Sequence, residues 1–195
     1  DGKYGYLDEN MEPAGEFTWN ELTGIKGSTG AGKKDKKWVL VDKKGEAKGD
    51  REYDDVIMDD GGFCSNQKCI FVKDKKGYRL IDPKGKRIGK QVFDDAKAFT
   101  EDGYAAVCRD GKWGFIDDEG ELVIDYTYED AESFRNGLAA VYADGLWGYI
   151  DTDGKLIITP RFIETTHFSE AGTAAVKIEE DGEEEWKLIQ LHTFS

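Results

Sequence analysis

The feature that most constrains this chain is an internal repeat. Residues 110–120 read Asp-Gly-Lys-Trp-Gly-Phe-Ile-Asp-Asp-Glu-Gly, and residues 144–154 repeat seven of these eleven positions as Asp-Gly-Leu-Trp-Gly-Tyr-Ile-Asp-Thr-Asp-Gly. The aromatic residue of this stretch recurs at spacings of 34, 40, 35, 34 and 39 residues, at Tyr4, Trp38, Tyr78, Trp113, Trp147 and Trp186. Periods of this length are typical of supersecondary units that bury their faces by packing on their neighbours.

Six copies of this aromatic strand are predicted, and they differ in how well they keep the pattern. They lie at 1–8, 36–45, 76–85, 110–120, 144–154 and 184–191. The second, third and sixth copies lack the glycine that follows the aromatic residue elsewhere. The middle copies are the purest, as expected where terminal repeats act as caps.

The residues around each aromatic strand predict β structure. Four strands run into an Asp-x-x-Gly stretch, at 42–45, 82–85, 117–120 and 151–154, which is the chemistry of a type I turn. β-Branched segments follow at 122–124 and 156–158, and Ala-Ala-Val occurs at 105–107, 139–141 and 174–176. No helical periodicity appears.

The predicted fold is therefore all-β, a single domain over 1–195 built from tandem units of about 35–40 residues with short antiparallel strands. Five intervals between six aromatic strands favour a five-bladed, β-propeller-like ring. An open, β-solenoid-like stack is the alternative. A polar insertion at about 12–37 interrupts the pattern and predicts an inserted loop, whose part from 24 to 37 is predicted to be mobile and dispensable.

Charge is distributed unevenly along the chain. The net charge is −14, but residues 1–97 carry 20 Lys/Arg and 19 Asp/Glu, whereas residues 98–195 carry 7 and 22. An acidic C-terminal half repels nucleic acid and anionic membranes and attracts basic partners. No apolar run is long enough to insert into a membrane.

The sequence of residues 137–162 resembles a known family. Gly-Leu-Ala-Ala-Val, then Asp-Gly-Leu-Trp-Gly-Tyr-Ile-Asp, then Gly-Lys-Leu-Ile-Ile-Thr-Pro-Arg-Phe is similar to the WG repeats, also called KWG repeats, of bacterial proteins. The resemblance is strong over 92–176 and weak before it. It implies a bacterial β-repeat protein that serves as a binding or structural part, and it supplies no catalytic residues.

No motif predicts catalysis, a cofactor or a metal. Gly27-Ser-Thr-Gly-Ala-Gly-Lys33 resembles a phosphate loop, but Lys34 replaces the final Ser or Thr and no helix is predicted to follow. The acidic turns lack the ligand spacing of a calcium loop. His167 and His192 belong to no spaced metal or nucleophile motif.

The aromatic residues at the six repeat positions are predicted to pack in the core, Trp113 and Trp147 as buried equivalents. Trp19 falls outside the register of the aromatic strands and is predicted as an exposed contact residue. Cys64, Cys69 and Cys108 are predicted to be buried thiols, and a small disulfide-closed loop between Cys64 and Cys69 in an oxidising compartment is the alternative.

These features predict a non-catalytic protein-interaction module whose acidic C-terminal half receives a basic protein partner. The alternative is a module that binds carbohydrate or the cell envelope through exposed aromatic residues. The chain begins without Met and partway through a repeat, which predicts a trimmed N-terminus and leaves cytoplasmic and exported locations both open.

Overall fold

A computed structural model describes residues 2–191 and shows an all-β protein, as predicted. These residues form no helix, and in particular none with the length and apolar character of a membrane span. The strands are short: β1 (Glu21–Leu22), β2 (Gly30–Lys34), β3 (Lys37–Val41), β4 (Asp55–Val56), β5 (Ile70–Asp74), β6 (Gly77–Ile81), β7 (Asp95–Ala96), β8 (Tyr104–Arg109), β9 (Lys112–Asp117), β10 (Leu122–Tyr128), β11 (Asp130–Ala131), β12 (Leu138–Ala143), β13 (Leu146–Asp151), β14 (Leu156–Phe162), β15 (Glu164–Thr165), β16 (Thr173–Glu180) and β17 (Glu183–Gln190).

The chain divides into two compact units, where the repeat period predicts one domain. Among the described residues, the first unit comprises 2–98 and 118–120, and the second comprises 99–117 and 121–191. The first contains the antiparallel sheets β1-β2-β3 and β4-β5-β6. The second contains β8-β9-β10, then β11-β12-β13-β14, then β15-β16-β17. These sheets follow one repeating plan.

The core of each sheet is a hairpin that ends on the aromatic strand. In the second unit the strands β8 and β9, β12 and β13, and β16 and β17 are joined by two-residue Asp-Gly turns. Both turn residues have positive φ, for example 50° at Asp110 and 73° at Gly111, and 52° at Asp144 and 81° at Gly145. This is the geometry of a type I′ turn, whose twist matches that of the two strands.

A fourth segment pairs with the other edge of the aromatic strand in a fixed register. The aromatic residue of each strand lies opposite the residue 15 positions later, in the pairs Tyr4/Trp19, Trp38/Tyr53, Tyr78/Phe93, Trp113/Tyr128 and Trp147/Phe162. In the first unit each pair exchanges two backbone hydrogen bonds. The Trp38 N–H donates to the Tyr53 carbonyl at 2.9 Å, and the Tyr53 N–H donates back at 2.8 Å.

The Asp-x-x-Gly stretches form the turns between the aromatic strand and this fourth segment. Asp42 Oδ1 accepts the N–H groups of Lys44 and Glu46 at 2.8 and 3.0 Å, and the Gly45 N–H donates to the Asp42 carbonyl at 3.0 Å. The first copy keeps the turn at Asp8, with Met11 at φ 65° in the place of the glycine. The predicted turn chemistry is therefore confirmed and extends to this copy.

The glycine after the aromatic residue makes room for the fourth strand. A Cβ atom on Gly148 would lie 2.5 Å from the Ile158 carbonyl oxygen and 2.7 Å from the Pro160 nitrogen. Gly114 faces the Ile124 carbonyl oxygen at the same 2.5 Å. Where Val39 and Arg79 replace this glycine, the fourth segment pairs only through isolated bridges at its two ends and is not a continuous strand.

Within each unit, consecutive sheets bury the aromatic strand of one sheet against the next. In the first unit Trp38, Leu40 and Tyr53 cluster with residues of the following hairpin, Ile70, Val72 and Ile81. In the second unit one cluster joins Trp113, Phe115 and Tyr128 to Ala139, Val141 and Ile150. Another joins Tyr149 and Phe162 to Ala174 and Val176. The cores therefore run through the stacked sheets of each unit, as repeat proteins require.

The predicted inserted loop at about 12–37 is wrong, because this segment contains paired strands. Residues 13–19 are the fourth segment of the first copy, and they are followed by β1 and β2. β2 pairs with β3 over its whole length, and Ala31 is fully buried opposite Leu40. The polar and glycine-rich composition concealed a strand that takes the place of Ala-Ala-Val in the later copies.

The predicted exposed contact role of Trp19 is also wrong. Trp19 is 7% exposed and its Nε1 donates to the Gly45 carbonyl at 2.9 Å. It lies 15 residues after Tyr4, so it is the counterpart of Tyr53, Phe93, Tyr128 and Phe162. The spacing of 15 was present in the sequence and could have placed it.

Trp19 and Gly32 show a compensating change of size. A Cβ atom on Gly32 would overlap the Trp19 indole ring. The later copies carry valine at the position of Gly32, as at Val72 and Val107, and a smaller Tyr or Phe at the position of Trp19. The first copy therefore combines the larger ring with the smaller strand residue.

We predict that Gly148→Ala destabilises the protein by roughly 1–3 kcal/mol, because the added methyl group overlaps the backbone of β14. The measurement is the free energy of unfolding in urea. The matched control is Val39→Ala, at the same repeat position, which loses two methyl groups from a half-buried side chain and should cost less than about 1 kcal/mol. Equal losses in the two variants would contradict this role of the glycine.

We predict that Trp19→Phe and Gly32→Val compensate each other. Gly32→Val alone should destabilise by roughly 1–3 kcal/mol through overlap with the indole, whereas the double variant should lose at least about 1 kcal/mol less than the sum of the single changes. Thermal and urea unfolding of the four proteins gives the coupling. If the destabilisation of the double variant equals the sum of the two single changes, the side chains at positions 19 and 32 do not occupy the same space.

Candidate functional site

The six aromatic residues predicted as repeat core do not share one environment. Trp38, Tyr78 and Trp113 are buried, and Trp147 is partly buried against the cluster of the last two sheets. Tyr4 is 57% exposed and Trp186 is 52% exposed. The prediction of core packing is therefore correct for the inner copies and wrong for the outer two. Trp113 and Trp147 are equivalent in register, although Trp147 is the more exposed of the two.

The phosphate-loop resemblance has no structural counterpart. Gly30–Lys34 is itself strand β2, and no helix follows it in the described residues. Gly30 and Gly32 serve packing, since a Cβ atom on Gly30 would lie 2.7 Å from the Tyr6 hydroxyl oxygen. The Tyr6 hydroxyl in turn donates to the Thr23 carbonyl at 2.7 Å. The glycines make room for neighbouring aromatic side chains.

The chemically reactive side chains of the described region form no recognisable centre. Within residues 2–191 no group of three or more His, Cys, Asp or Glu side chains is arranged to hold a metal ion. His167 is exposed, and His192 lies outside the described residues. Cys64, Cys69 and Cys108 are buried, as predicted. Burial raises the pKa of the Cys64 thiol, which keeps it protonated and unreactive.

The last sheet, β15-β16-β17, has one exposed face, whereas the equivalent face of the two preceding sheets is covered. We call the side of this sheet that carries Trp186 and Leu188 the terminal face. Leu188 is 74% exposed, whereas its counterparts Phe115 and Tyr149 are fully buried. The register is the same, since Lys177 lies opposite Trp186 as Tyr142 lies opposite Trp147. The repeat has thus placed large apolar side chains where no described residue covers them.

The opposite side of the last sheet borders an apolar groove of about 540 Å³ within the second unit. β14 contributes Ile158 and Phe162, and β16 and β17 contribute Ile178 and Ile189. Arg161 and Lys187 are the charged residues of its lining. The groove lies between two packed sheets and has no cluster of reactive groups along it.

Acidic residues crowd the tip of the β16–β17 hairpin. Six of the seven residues from 179 to 185 are Asp or Glu, and all are exposed. Lys187 pairs with Glu180 and with Glu185, and Lys177 pairs with Glu184 at 2.5 Å and Glu164 at 3.0 Å. These carboxylates raise the pKa of both lysines. The two lysines offset only part of the negative charge at this end of the sheet.

Similarity to known proteins agrees with the repeat plan. A sequence profile described as the WG-containing repeat matches residues 78–113, 113–147 and 147–180. Its boundaries fall on the aromatic residues Tyr78, Trp113 and Trp147, and the match spans 103 of the 195 residues. No curated protein matches the chain.

Solved structures resemble the chain in fold. One described as the eukaryotic initiation factor has a TM-score of 0.61 at 14% identity and covers 88% of this chain. Another, Hsv2p of Kluyveromyces lactis, has a TM-score of 0.55 at 12% identity and covers 89%. Both are β-propeller-like.

The chain spans 50% and 62% of the lengths of these two structures. At such low identity the likeness concerns the fold alone, and it agrees with the small antiparallel sheets described above. Together with the profile match over more than half of the sequence, the repeat register shows that this chain belongs to the family of WG-containing-repeat proteins.

Proposed function

We propose that this protein is a non-catalytic interaction module whose acidic C-terminal half binds a basic protein partner. The observation that carries the proposal is the coincidence, on the last sheet, of exposed apolar side chains with a dense group of exposed carboxylates. Surfaces that combine an apolar centre with complementary charge are typical of protein-binding sites.

The charge of the second half supports this choice of partner. Residues 98–195 carry 22 acidic and 7 basic residues, so their field attracts cationic proteins and repels nucleic acid and anionic membranes. The WG-repeat family and the propeller-like fold support a binding role in general, because stacked sheets present broad surfaces with no built-in reaction chemistry.

A carbohydrate-binding role is less well supported. It calls for several exposed aromatic planes on one surface, but Trp19, Trp38 and Trp113 are buried and Trp147 is partly buried. The exposed rings of Tyr4 and Phe17 belong to the first unit, whereas Trp186 belongs to the second. Trp186 is the one tryptophan of the chain with more than a third of its surface exposed. A single exposed indole fits a protein contact at least as well as a sugar platform.

We predict that neutralising the hairpin tip lowers the affinity for cationic ligands and makes that affinity less dependent on salt concentration. The variant is Glu179→Gln, Asp181→Asn and Glu183→Gln combined, and the probe is a lysine-rich peptide titrated at 50 and 500 mM NaCl. Affinity of the unmodified protein should fall at least about tenfold between the two salt concentrations, because exposed charges are screened. The variant should bind about as weakly at low salt as the unmodified protein at high salt.

The matched control removes three exposed carboxylates from the first unit, by Glu9→Gln, Glu16→Gln and Glu46→Gln. It changes the net charge equally and should leave the affinity within about twofold. If the control weakens binding as much as the hairpin-tip variant, the charge of the whole chain and not the last sheet attracts the ligand. Glycan binding that survives 500 mM NaCl would instead favour the carbohydrate role.

A further inference from the structure

The aromatic strand β17 has the same sequence pattern as β6 and a different environment. β6 contains Tyr78-Arg-Leu-Ile81, and β17 contains Trp186-Lys-Leu-Ile189. In β6 the fourth segment pairs with the outer edge of the strand, and Tyr78 and Leu80 are 6% and 2% exposed. In β17 the equivalent residues are 52% and 74% exposed. The two strands therefore differ in what lies beside them.

Along the outer edge of β17, backbone N–H and carbonyl groups point away from the sheet. β17 pairs with β16 on one side, and no described residue forms a ladder with it on the other. At the equivalent position in β6, the Tyr78 N–H donates to the Phe93 carbonyl at 2.8 Å and the Phe93 N–H donates back at 2.9 Å. By the same register, the N–H and carbonyl of Trp186 point outward, where an added strand would meet them.

We propose that the outer edge of β17 binds an extended basic segment by strand addition, with an aromatic side chain of the segment placed beside Trp186 on the terminal face. The proposal rests on the proposed function for the charge of the partner. Main-chain hydrogen bonds would supply affinity, and the terminal face would supply side-chain specificity. The segment takes the place that residues 87–93 occupy beside β6.

Charge and geometry favour this occupant over a second copy of the chain. The N-terminal end also exposes apolar side chains, at Leu7, Met11 and Phe17. However, residues 1–17 contain one Lys and five Asp or Glu, so they would repel the acidic hairpin tip of a neighbouring copy. A segment with Lys or Arg directly after its aromatic residue meets Glu183, Glu184 and Glu185 with opposite charge, because an antiparallel strand that places this residue opposite Trp186 continues toward the hairpin tip.

The chain supplies its own probe. The segment Lys-Arg-Ile-Gly-Lys-Gln-Val-Phe, residues 86–93, is basic and already pairs with a strand that lacks the glycine, as β17 does. A labelled peptide of this sequence, with three lysines added after the residue equivalent to Phe93 so that they face the acidic hairpin tip, is titrated with the full chain and followed by fluorescence anisotropy. A second peptide is N-methylated at the residue equivalent to Phe93, which removes the donor to Trp186 and keeps every side chain and charge.

The control peptide carries the N-methyl group at the residue equivalent to Lys90, between the two bridges of the native segment. We expect methylation at the Phe93 position to weaken binding about tenfold or more, and methylation at Lys90 to weaken it about threefold or less. Trp186→Ala and Leu188→Ser, both at exposed positions, should each weaken binding while the melting temperature stays nearly unchanged.

Four outcomes would overturn this inference, and they differ in what they leave of the proposed function. Equal binding of the two methylated peptides and of a Phe93→Ser peptide would overturn strand addition and leave charge-based binding intact. Failure of the 86–93 peptide, with retained binding of a lysine-rich peptide, would have the same meaning. Failure of both peptides at 50 mM NaCl would overturn the inference and the proposed function together. A peptide that makes the chain dimerise without binding β17 would also contradict the proposal.

Discussion

The structure depends on one backbone interaction, the pairing of each aromatic strand residue with the residue 15 positions later. In the first unit this pair exchanges two hydrogen bonds of 2.8–3.3 Å, and in β9 and β13 it anchors one end of a full strand. The pair joins the fourth segment to the edge of the aromatic strand and brings two large side chains onto the same face of the sheet. Each face is then large enough to bury the hairpin of the next sheet, which is how a chain of short strands obtains a core.

The repeat tolerates substitution because the combined volume of two contacting side chains is kept, although the volume at each single position changes. Trp19 with Gly32 fills the space that Phe or Tyr fills with Val in later copies. The glycine after the aromatic residue makes room for a continuous strand at Gly114 and Gly148 and for the Phe17 ring at Gly5, and it is replaced by Val39 and Arg79 in two copies whose fourth segment touches the strand at two bridges. The second and third copies are therefore structurally complete, although their sequences look degenerate.

Much of the fold followed from the sequence, because aromatic spacing and Asp-x-x-Gly turns are local patterns. The strand class, the turns at Asp42, Asp82 and Asp151 and the buried cysteines were all predictable. The segment 12–37 was not, because polarity and glycine content are poor guides when a strand packs its small residues against an indole. Exposure of Trp186 was also missed, since it depends on what lies beside β17 and not on β17 itself. The closed arrangement of the repeats stays a prediction.

Amide hydrogen exchange tests the central pairing most directly. The account predicts slow exchange at Trp38, Tyr53, Tyr78 and Phe93, whose N–H groups are all donated across the aromatic pair. It predicts fast exchange at Trp186, whose N–H points outward, and slow exchange at the adjacent Lys187, whose N–H faces β16. Protection of Trp186 equal to that of Trp38 in the isolated monomer, or exchange at Tyr53 and Phe93 as fast as at the exposed residues 49–51, would contradict the account.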